Sequence, residues 1–142
     1  MREGSWEDCL QGGRCICISP DKQRAKSLVE TADARIAYAR KQVLDNHSAR
    51  FMLESYYSSA LEVVHAILFL KGYKCENHVC LGLFIRDILK RKDLFVAFDT
   101  ARLRRNSVVY YGKHLPLDKA TESIRKLGLL ISEIKGMTEM LI

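Results

Sequence analysis

The sequence predicts an all-α protein, an up-and-down bundle of four to five helices with a short N-terminal leader helix. Three observations predict this class. Only two prolines occur, Pro20 and Pro116, so the long stretch between them lacks the residue that interrupts helices. Apolar residues recur every three or four positions through most of the chain, which is the helical period. No segment shows the apolar–polar alternation of a half-buried strand, and short loops between long amphipathic helices are typical of a bundle.

Composition and charge fit one folded domain. The 142 residues are 48% hydrophobic and 28% charged, and the formal net charge is +6. This charge permits an anionic partner, such as nucleic acid or an acidic protein. No apolar run approaches the ~18 residues of a membrane span, and the acidic start of the chain does not resemble a signal peptide. We therefore expect a soluble, cytoplasmic protein with no membrane partner.

The first 19 residues form a distinct leader. Trp6, Cys9 and Leu10 have the spacing of a short amphipathic helix, which a glycine pair then ends. Because Trp6 is costly to leave in water, we expect this segment to pack on the main body. The sequence thus divides into a leader, residues 1–19, and a helical bundle, residues 20–142.

The next two helices have clear sequence signals. Ser19 and Pro20 predict an N-cap and a first helical position, and apolar residues then recur at helical spacing as far as Val43. A further helix, over about 49–71, is apolar nearly all round between residues 61 and 70. Such a helix is central and covered on more than one side. In a chain this small, a second covering surface indicates a partner subunit.

Three more helices follow, over about 77–91, over 93–112 and from near Pro116 onward. In the second of these, apolar residues at helical spacing face the core, namely Leu94, Phe98, Ala101 and Val108. Polar residues of the same helix form a cluster of Arg102, Arg104, Arg105, Asn106, Tyr110 and Tyr111. Because Arg102, Asn106 and Tyr110 are four residues apart, they stack along one face, where they could grip a phosphate. The alternative is a solvated basic helix with two half-buried tyrosines.

The five cysteines are an odd number, which favours free thiols in a reducing compartment. Cys75, His78 and Cys80 place three possible zinc ligands within six residues. Structural zinc usually takes four ligands, and no second pair with matching spacing lies nearby. Cys15 and Cys17 could complete the set only through a tertiary contact. The sequence therefore predicts buried or half-exposed thiols, no metal and no cofactor.

The chain lacks the motifs of most familiar enzymes. No glycine-rich loop of the P-loop or dinucleotide kind occurs, and no Ser-His-Asp or Cys-His arrangement stands out. Glu62 and His65 have the spacing of half of a di-iron motif, but a di-iron bundle needs a second Glu-x-x-His, which is missing. His65 is therefore interpreted as a core or interface histidine.

Several segments together resemble one known family. The residues Arg-Arg-Asn-Ser-Val-Val-Tyr-Tyr-Gly at 104–112, the tyrosine- and alanine-containing segment at 54–60, and the leader segments 6–10 and 19–22 are similar to the HEPN family. HEPN proteins are small helical domains of prokaryotic toxin–antitoxin and nucleotide-linked systems, and the leader resembles an archaeal-type branch. The resemblance covers about residues 5–140. It implies a bundle of four to five helices that dimerises with its arginine-bearing helices face to face.

The family's active members are described as metal-independent ribonucleases with an arginine, a polar residue and, four to six residues after the arginine, a histidine. The arginine holds the scissile phosphate and the histidine transfers protons. By position, Arg105 matches the arginine and Asn106 the polar residue, whereas the histidine position falls at Tyr110, Tyr111 or Gly112. A phenol with a pKa of about 10 is a poor base at neutral pH, so the resemblance implies weak or absent cleavage. His114 is nine residues beyond Arg105, too far to replace the histidine without a bend.

The resemblance implies a homodimer that binds RNA, a nucleotide or a minimal nucleotidyltransferase protein through a groove between paired arginine helices. The expected binding residues are Arg102, Arg105 and Tyr111. If the protein is active, the expected catalytic residues are Arg105, Asn106 and Tyr110. The alternatives are a metal-independent ribonuclease toxin of a toxin–antitoxin pair and a purely structural partner of a nucleotidyltransferase.

Overall fold

A computed structural model describes residues 4–142, and within this range it confirms the predicted all-α bundle with a short N-terminal helix. The described chain contains six helices and one sheet of two short strands. In chain order the elements are α1 (Trp6–Gln11), β1 (Cys15–Cys17), α2 (Lys22–Arg40), α3 (Ala49–Lys71), β2 (Tyr73–Cys75), α4 (His78–Asp87), α5 (Lys92–Tyr111) and α6 (Leu117–Leu141).

Helix α3 is the central element, as its apolar sequence predicts. It packs against α2, α5, α6 and β2, and most of its side chains between residues 61 and 70 are buried. The covering elements belong to the same chain, with Phe69 of α3 in one cluster with Leu28 and Val29 of α2. This stretch therefore does not require a partner subunit to cover it, contrary to the interpretation of the sequence. Among the described helices, none is both long enough and apolar enough to cross a membrane.

The start of α2 differs from the prediction based on Ser19 and Pro20. The N-cap is Asp21, whose carboxylate accepts a hydrogen bond of 3.0 Å from the backbone N–H of Arg24. The backbone N–H of Asp21 in turn donates to the carbonyl of Phe69, at 3.0 Å. The chain before α2 is thus tied to the end of α3, so the helix begins two residues later than the Ser-Pro signal indicates.

Two further helix ends differ from the sequence prediction. Helix α2 ends at Arg40, and Val43, which was expected on its core face, is 75% exposed beyond that end. Helix α4 ends at Asp87 rather than near residue 91, and Lys90 adopts a positive φ of 59° in the turn before α5. The core positions of α5 agree with the prediction, since Leu94, Phe98 and Ala101 are buried and Val108 is partly buried.

The sequence indicates a short apolar extended segment over residues 15–18, where β1 lies, but the antiparallel sheet that it forms with β2 was not predicted. This sheet pairs Cys15 with Cys75, and its other two pairs are Ile16–Lys74 and Cys17–Tyr73. Strands of three residues are too short to show a repeating alternation of apolar and polar side chains, so the periodicity of the sequence could not reveal them.

The leader packs against β2 and α4. Trp6 is 2% exposed, and its ring meets Tyr73 and Phe84 edge-on at centroid distances of 5.3 and 5.1 Å. The backbone N–H of Trp6 donates a 2.8 Å hydrogen bond to the carboxylate of Asp87, at the end of α4. These contacts fix the leader across one end of the bundle.

Four of the five cysteines form disulfides, which corrects the expectation of free thiols. One disulfide joins Cys9 to Cys80 and the other joins Cys15 to Cys75, whereas Cys17 is free and exposed. The partners are 71 and 60 residues apart in sequence, and only the packing of α1 on α4 and of β1 on β2 brings them together.

Candidate functional site

The arginines of α5 divide between two sides of the helix. Arg104 reaches α6, where its Nη1 atom donates to Ser123 Oγ at 2.8 Å and lies 2.8 Å from a carboxylate oxygen of Glu122. Arg102 and Arg105 instead lie on the side of α3 and α4. Residues two apart on a helix point in widely different directions, so Arg104 serves the packing of α5 on α6 and lies apart from the other arginines with which the sequence grouped it.

Arg105 is held by Glu54 of α3. Its Nε and Nη2 atoms donate to the two carboxylate oxygens at 2.9 and 3.3 Å, and this pairing is the main reason why the pKa of Arg105 is raised. The other edge of the guanidinium faces Asn106, with Nη1 3.4 Å from Oδ1, and the ring of Tyr110, at 5.8 Å from Cζ. The predicted trio of Arg105, Asn106 and Tyr110 is therefore brought together.

Arg102 lies on the same side of α5 as Arg105. It is paired with Asp99, one turn earlier, through contacts of 3.0 Å from Nε and 2.9 Å from Nη2. The positive charges of both arginines act on the same two groups, lowering the pKa of His78 and opposing the rise in the pKa of Tyr57. Arg102 and Arg105 thus contribute to one electrostatic site and do not diverge to opposite exteriors.

Tyr57 and His78 form the inner side of this site. The hydroxyl of Tyr57 lies 3.0 Å from His78 Nδ1, and the Tyr57 ring lies beneath Arg105 Cζ at 5.6 Å and stacks on Phe98. Burial raises the pKa of Tyr57, and burial followed by the charge of Arg105 lowers the pKa of His78. The imidazole is therefore neutral at pH 7 and its orientation is fixed by the phenol.

His78 was not expected in this site from the sequence, where it stood only as a possible zinc ligand beside Cys75 and Cys80. In the structure its ring is turned to Tyr57, and the sulfur cluster of the described residues does not include it. Tyr57 and His78 are 21 residues apart on different helices, and no local pattern in the sequence connects them.

The two tyrosines at the end of α5 differ in position. Tyr110 is 67% exposed and borders Arg105. Tyr111 is 73% exposed and lies one residue further round the helix, off the face shared by Arg102, Asn106 and Tyr110. The structure thus places Tyr110, but not Tyr111, on the predicted polar face.

A basic pocket of about 360 Å³ continues the site toward the end of α5. Arg50 precedes Glu54 by one turn of α3, and Val108 follows Arg105 by about one turn of α5, so the pocket lies one helical turn from the Glu54–Arg105 pair. None of its lining residues is acidic, and these residues are Asn46, His47, Arg50, Val108, Gly112, Lys113, His114 and Leu115. We call this pocket, together with Arg102 and Arg105, the cationic face.

The fold and this site define the class of the protein, a helical bundle with an elongated cationic face along its third and fifth helices. No protein-family model matches the chain, and no curated protein or solved structure matches it significantly. The resemblance to the HEPN family therefore remains an expectation that depends on the sequence segments described above.

Proposed function

We propose that the protein is a HEPN-like dimeric module that binds RNA through its phosphates along the cationic face, without efficient cleavage. The observation that supports this proposal is the joint position of Arg102 and Arg105. The positive charges of both side chains act on His78, at the start of α4. Both guanidinium groups are held by carboxylates, so little side-chain entropy is lost when an anion binds. Planar guanidinium groups are well suited to phosphate oxygens.

The length of the cationic face favours a polynucleotide over a single phosphate group. Gly112, the residue after α5, follows Arg105 by seven residues, which corresponds to about 10 Å along the helix axis. The basic pocket beyond Val108 adds two cationic side chains from two different segments, Arg50 of α3 and Lys113 after α5. Several phosphates of one strand can therefore contact the face at the same time.

The outer side of α5 supports a dimer. Leu103 is 53% exposed and Tyr110 is 67% exposed, and because they are seven residues apart they share one side of the helix with Asn106. A second copy that packs along this side would bury both apolar side chains. It would also place the two sets of Arg102 and Arg105 on either side of one groove.

An RNA-binding titration tests the role of the arginines. We expect Arg105→Ala and Arg102→Ala each to weaken the binding of a fluorescently labelled single-stranded RNA by about 10-fold or more, as expected for a lost charge-assisted hydrogen bond. The salt dependence should also decrease, by about one unit of slope for each phosphate contact removed. Fluorescence anisotropy at several salt concentrations measures both effects.

The matched control is Arg125→Ala, which removes an exposed arginine of α6 and should leave the affinity unchanged. RNA binding that is absent or insensitive to salt would contradict the proposal. The same holds if Arg125→Ala weakens binding as much as Arg105→Ala. A protein that binds no RNA but forms a stable complex with a nucleotidyltransferase would instead fit the expectation of a structural partner.

The dimer is tested by analytical ultracentrifugation. The wild-type protein should sediment at twice the chain mass of 16.3 kDa, and Leu103→Glu should yield a monomer with reduced RNA affinity. Leu129→Glu is the control, since Leu129 is 55% exposed on α6 and is not part of the proposed interface. A wild-type monomer, or dissociation by both substitutions, would exclude this dimer.

His78 favours a second candidate function, a metal-independent ribonuclease such as a toxin of a toxin–antitoxin pair. A neutral imidazole beside Arg105 can take the proton of a ribose 2′-hydroxyl while the guanidinium binds the phosphate. The 2′-oxygen then forms a bond to phosphorus, and the bond to the 5′-oxygen breaks. The leaving 5′-oxygen takes up the proton that His78 accepted, which returns the imidazole to its neutral form. In this function His78, from another helix, replaces the histidine that the motif lacks at Tyr110. Because Nδ1 contacts the Tyr57 hydroxyl, the proton acceptor is Nε2, which is unprotonated in the tautomer whose Nδ1–H donates to the Tyr57 oxygen.

A cleavage assay in EDTA tests this candidate. We expect His78→Gln to abolish cleavage while RNA affinity stays within about twofold, because the phosphate-binding arginines are retained. Tyr57→Phe should lower the cleavage rate, whereas Tyr38→Phe, at a 70% exposed position of α2, should not. Intact RNA after long incubation with the wild-type protein would exclude the ribonuclease and leave the binding function.

A further inference from the structure

Four cysteines from two distant segments meet at one buried place. Cys9 and Cys15 come from the leader, and Cys75 and Cys80 come from β2 and the start of α4. Each of the four is at most 2% exposed. Each segment contributes one cysteine from a strand and one from a helix, with five residues between the first pair and four between the second. These intervals are close to the two to four residues typical between the paired ligands of structural zinc sites.

The sulfur atoms are nearly as close together as a tetrahedral metal site requires. Zinc–thiolate bonds of about 2.3 Å place the four sulfurs of a tetrahedron about 3.8 Å apart. The Sγ atoms of Cys9, Cys15 and Cys80 all lie within 4.8 Å of one another. The fourth sulfur, of Cys75, is bonded to that of Cys15.

The surroundings suit a negatively charged zinc–thiolate group. A Zn²⁺ ion with four thiolates carries a net charge of −2. The surface pocket beside Cys75 is lined by two basic side chains, Arg14 and Lys74, and by one acidic side chain, Glu76. Cys80 lies in the first turn of α4, where the helix dipole favours negative charge. The sulfur of Cys75 also lies 3.7 Å from the Asn77 carbonyl oxygen, a contact in which a thiol, but not a disulfide, has a hydrogen to donate.

We propose that the reduced chain binds one Zn²⁺ through Cys9, Cys15, Cys75 and Cys80, and that this ion holds the leader on β2 and α4. The proposal replaces the expectation of a metal-free protein and is independent of RNA binding. Zn²⁺ binding by four thiols releases four protons. Starting from the two disulfides, a phosphine reductant first supplies two electrons per bond and becomes a phosphine oxide, with water providing the oxygen and the two protons.

Cobalt and zinc titrations of the reduced protein test the proposal. After anaerobic reduction with tris(2-carboxyethyl)phosphine, we expect one Co²⁺ per chain, with the visible absorption of tetrahedral cobalt thiolate and with displacement by one equivalent of Zn²⁺. Native mass spectrometry should then find one zinc per chain. In the zinc-bound protein an alkylating reagent should modify only Cys17, the exposed free cysteine.

Substitutions distinguish the site from non-specific binding. Cys75→Ser and Cys80→Ser should each weaken Co²⁺ binding by at least 100-fold, whereas Cys17→Ser, the matched control in β1, should bind as the wild type does. Circular dichroism checks that the variants stay helical, and the alkylation pattern of the wild type tests the site without any substitution. A reduced wild-type chain whose five thiols all react and which gives no cobalt absorption would overturn the proposal. Equal loss in Cys17→Ser, or iron with acid-labile sulfide in the purified protein, would also overturn it.

Discussion

The guanidinium of Arg105 lies between the carboxylate of Glu54 and the ring of Tyr110, and this position decides how an anion reaches it. Glu54 occupies the edge formed by Nε and Nη2, so a phosphate must approach from the edge that faces Asn106 or compete with the carboxylate. The ion pair therefore orients the arginine and also opposes the binding of a second anion.

Glu54→Gln should consequently strengthen RNA binding by a few-fold. The amide oxygen can still accept one hydrogen bond from Arg105, while the negative charge that repels phosphate is removed. The side chains of Arg105 and Glu54 are 19% and 42% exposed, so the loss of their ion pair should lower the free energy of unfolding by no more than about 1 kcal/mol.

Anisotropy titrations measure this gain, and urea denaturation measures the accompanying change in stability. Glu122→Gln is the control, because it removes a carboxylate paired with Arg104 on the other side of α5. If Glu54→Gln binds RNA more weakly than the wild type does, the prediction is wrong. The orienting effect of the carboxylate on Arg105 would then outweigh its repulsion of the phosphate.

At the scale of the elements, two long helices end in the same way. Gly72 after α3 and Gly112 after α5 both adopt the left-handed conformation, with φ values of 84° and 61°, and their N–H groups donate to carbonyls in the preceding turn. The surroundings differ. A Cβ atom at position 72 would lie 2.9 Å from the carbonyl oxygen of Ile18, whereas at position 112 nothing lies within 4 Å.

Three glycine-to-alanine substitutions should therefore rank in a definite order of stability. Gly136→Ala, in the interior of α6 with open space around it, should raise the free energy of unfolding by up to about 1 kcal/mol. Gly112→Ala should lower it by about 1 kcal/mol because of its positive φ, and Gly72→Ala by about 2 kcal/mol or more because a backbone contact adds to this strain. Thermal and urea unfolding measure the series. Equal losses at positions 72 and 112 would contradict the role of the Ile18 contact.

At the scale of the whole molecule, the pH dependence of stability involves two partly buried histidines, His65 and His78. Burial is the main cause of the lowered pKa of both His65 and His78. In the unfolded chain both histidines have a pKa of about 6.5. The unfolded chain therefore binds more protons than the folded chain in mildly acidic solution. The stability contributed by the neutral histidines is complete above that value and is lost as the pH falls toward their folded pKa values.

We expect the free energy of unfolding to fall as the pH is lowered from about 7 to about 5. Carboxylates with a lowered pKa, such as Asp45 and Asp93, lose their contribution only below about pH 5, so the loss between pH 7 and 5 belongs to the histidines. Urea denaturation across this range measures it. His65→Gln combined with His78→Gln should flatten the pH dependence, whereas His47→Gln, at an exposed position, should not. A flat wild-type profile would contradict the prediction.

The sequence by itself determined the helical class, the central position of α3 and the inward positions of α5, because helical periodicity is a local property of the chain. It also placed Arg105, Asn106 and Tyr110 on adjoining positions of one helix, and the structure brings these three together. It could not separate Arg104 from them, because the direction of each arginine depends on which helix packs beside it.

Only the tertiary structure decided the partners of these groups. Glu54 and Arg105 are 51 residues apart, Tyr57 and His78 are 21 apart, and the disulfide partners are 60 and 71 apart. Contacts at such separations arise from the packing of whole elements, and no short-range pattern of residue types encodes them. The histidine of the site and the four-cysteine cluster became visible only once α3, α4, α5 and the leader were in place.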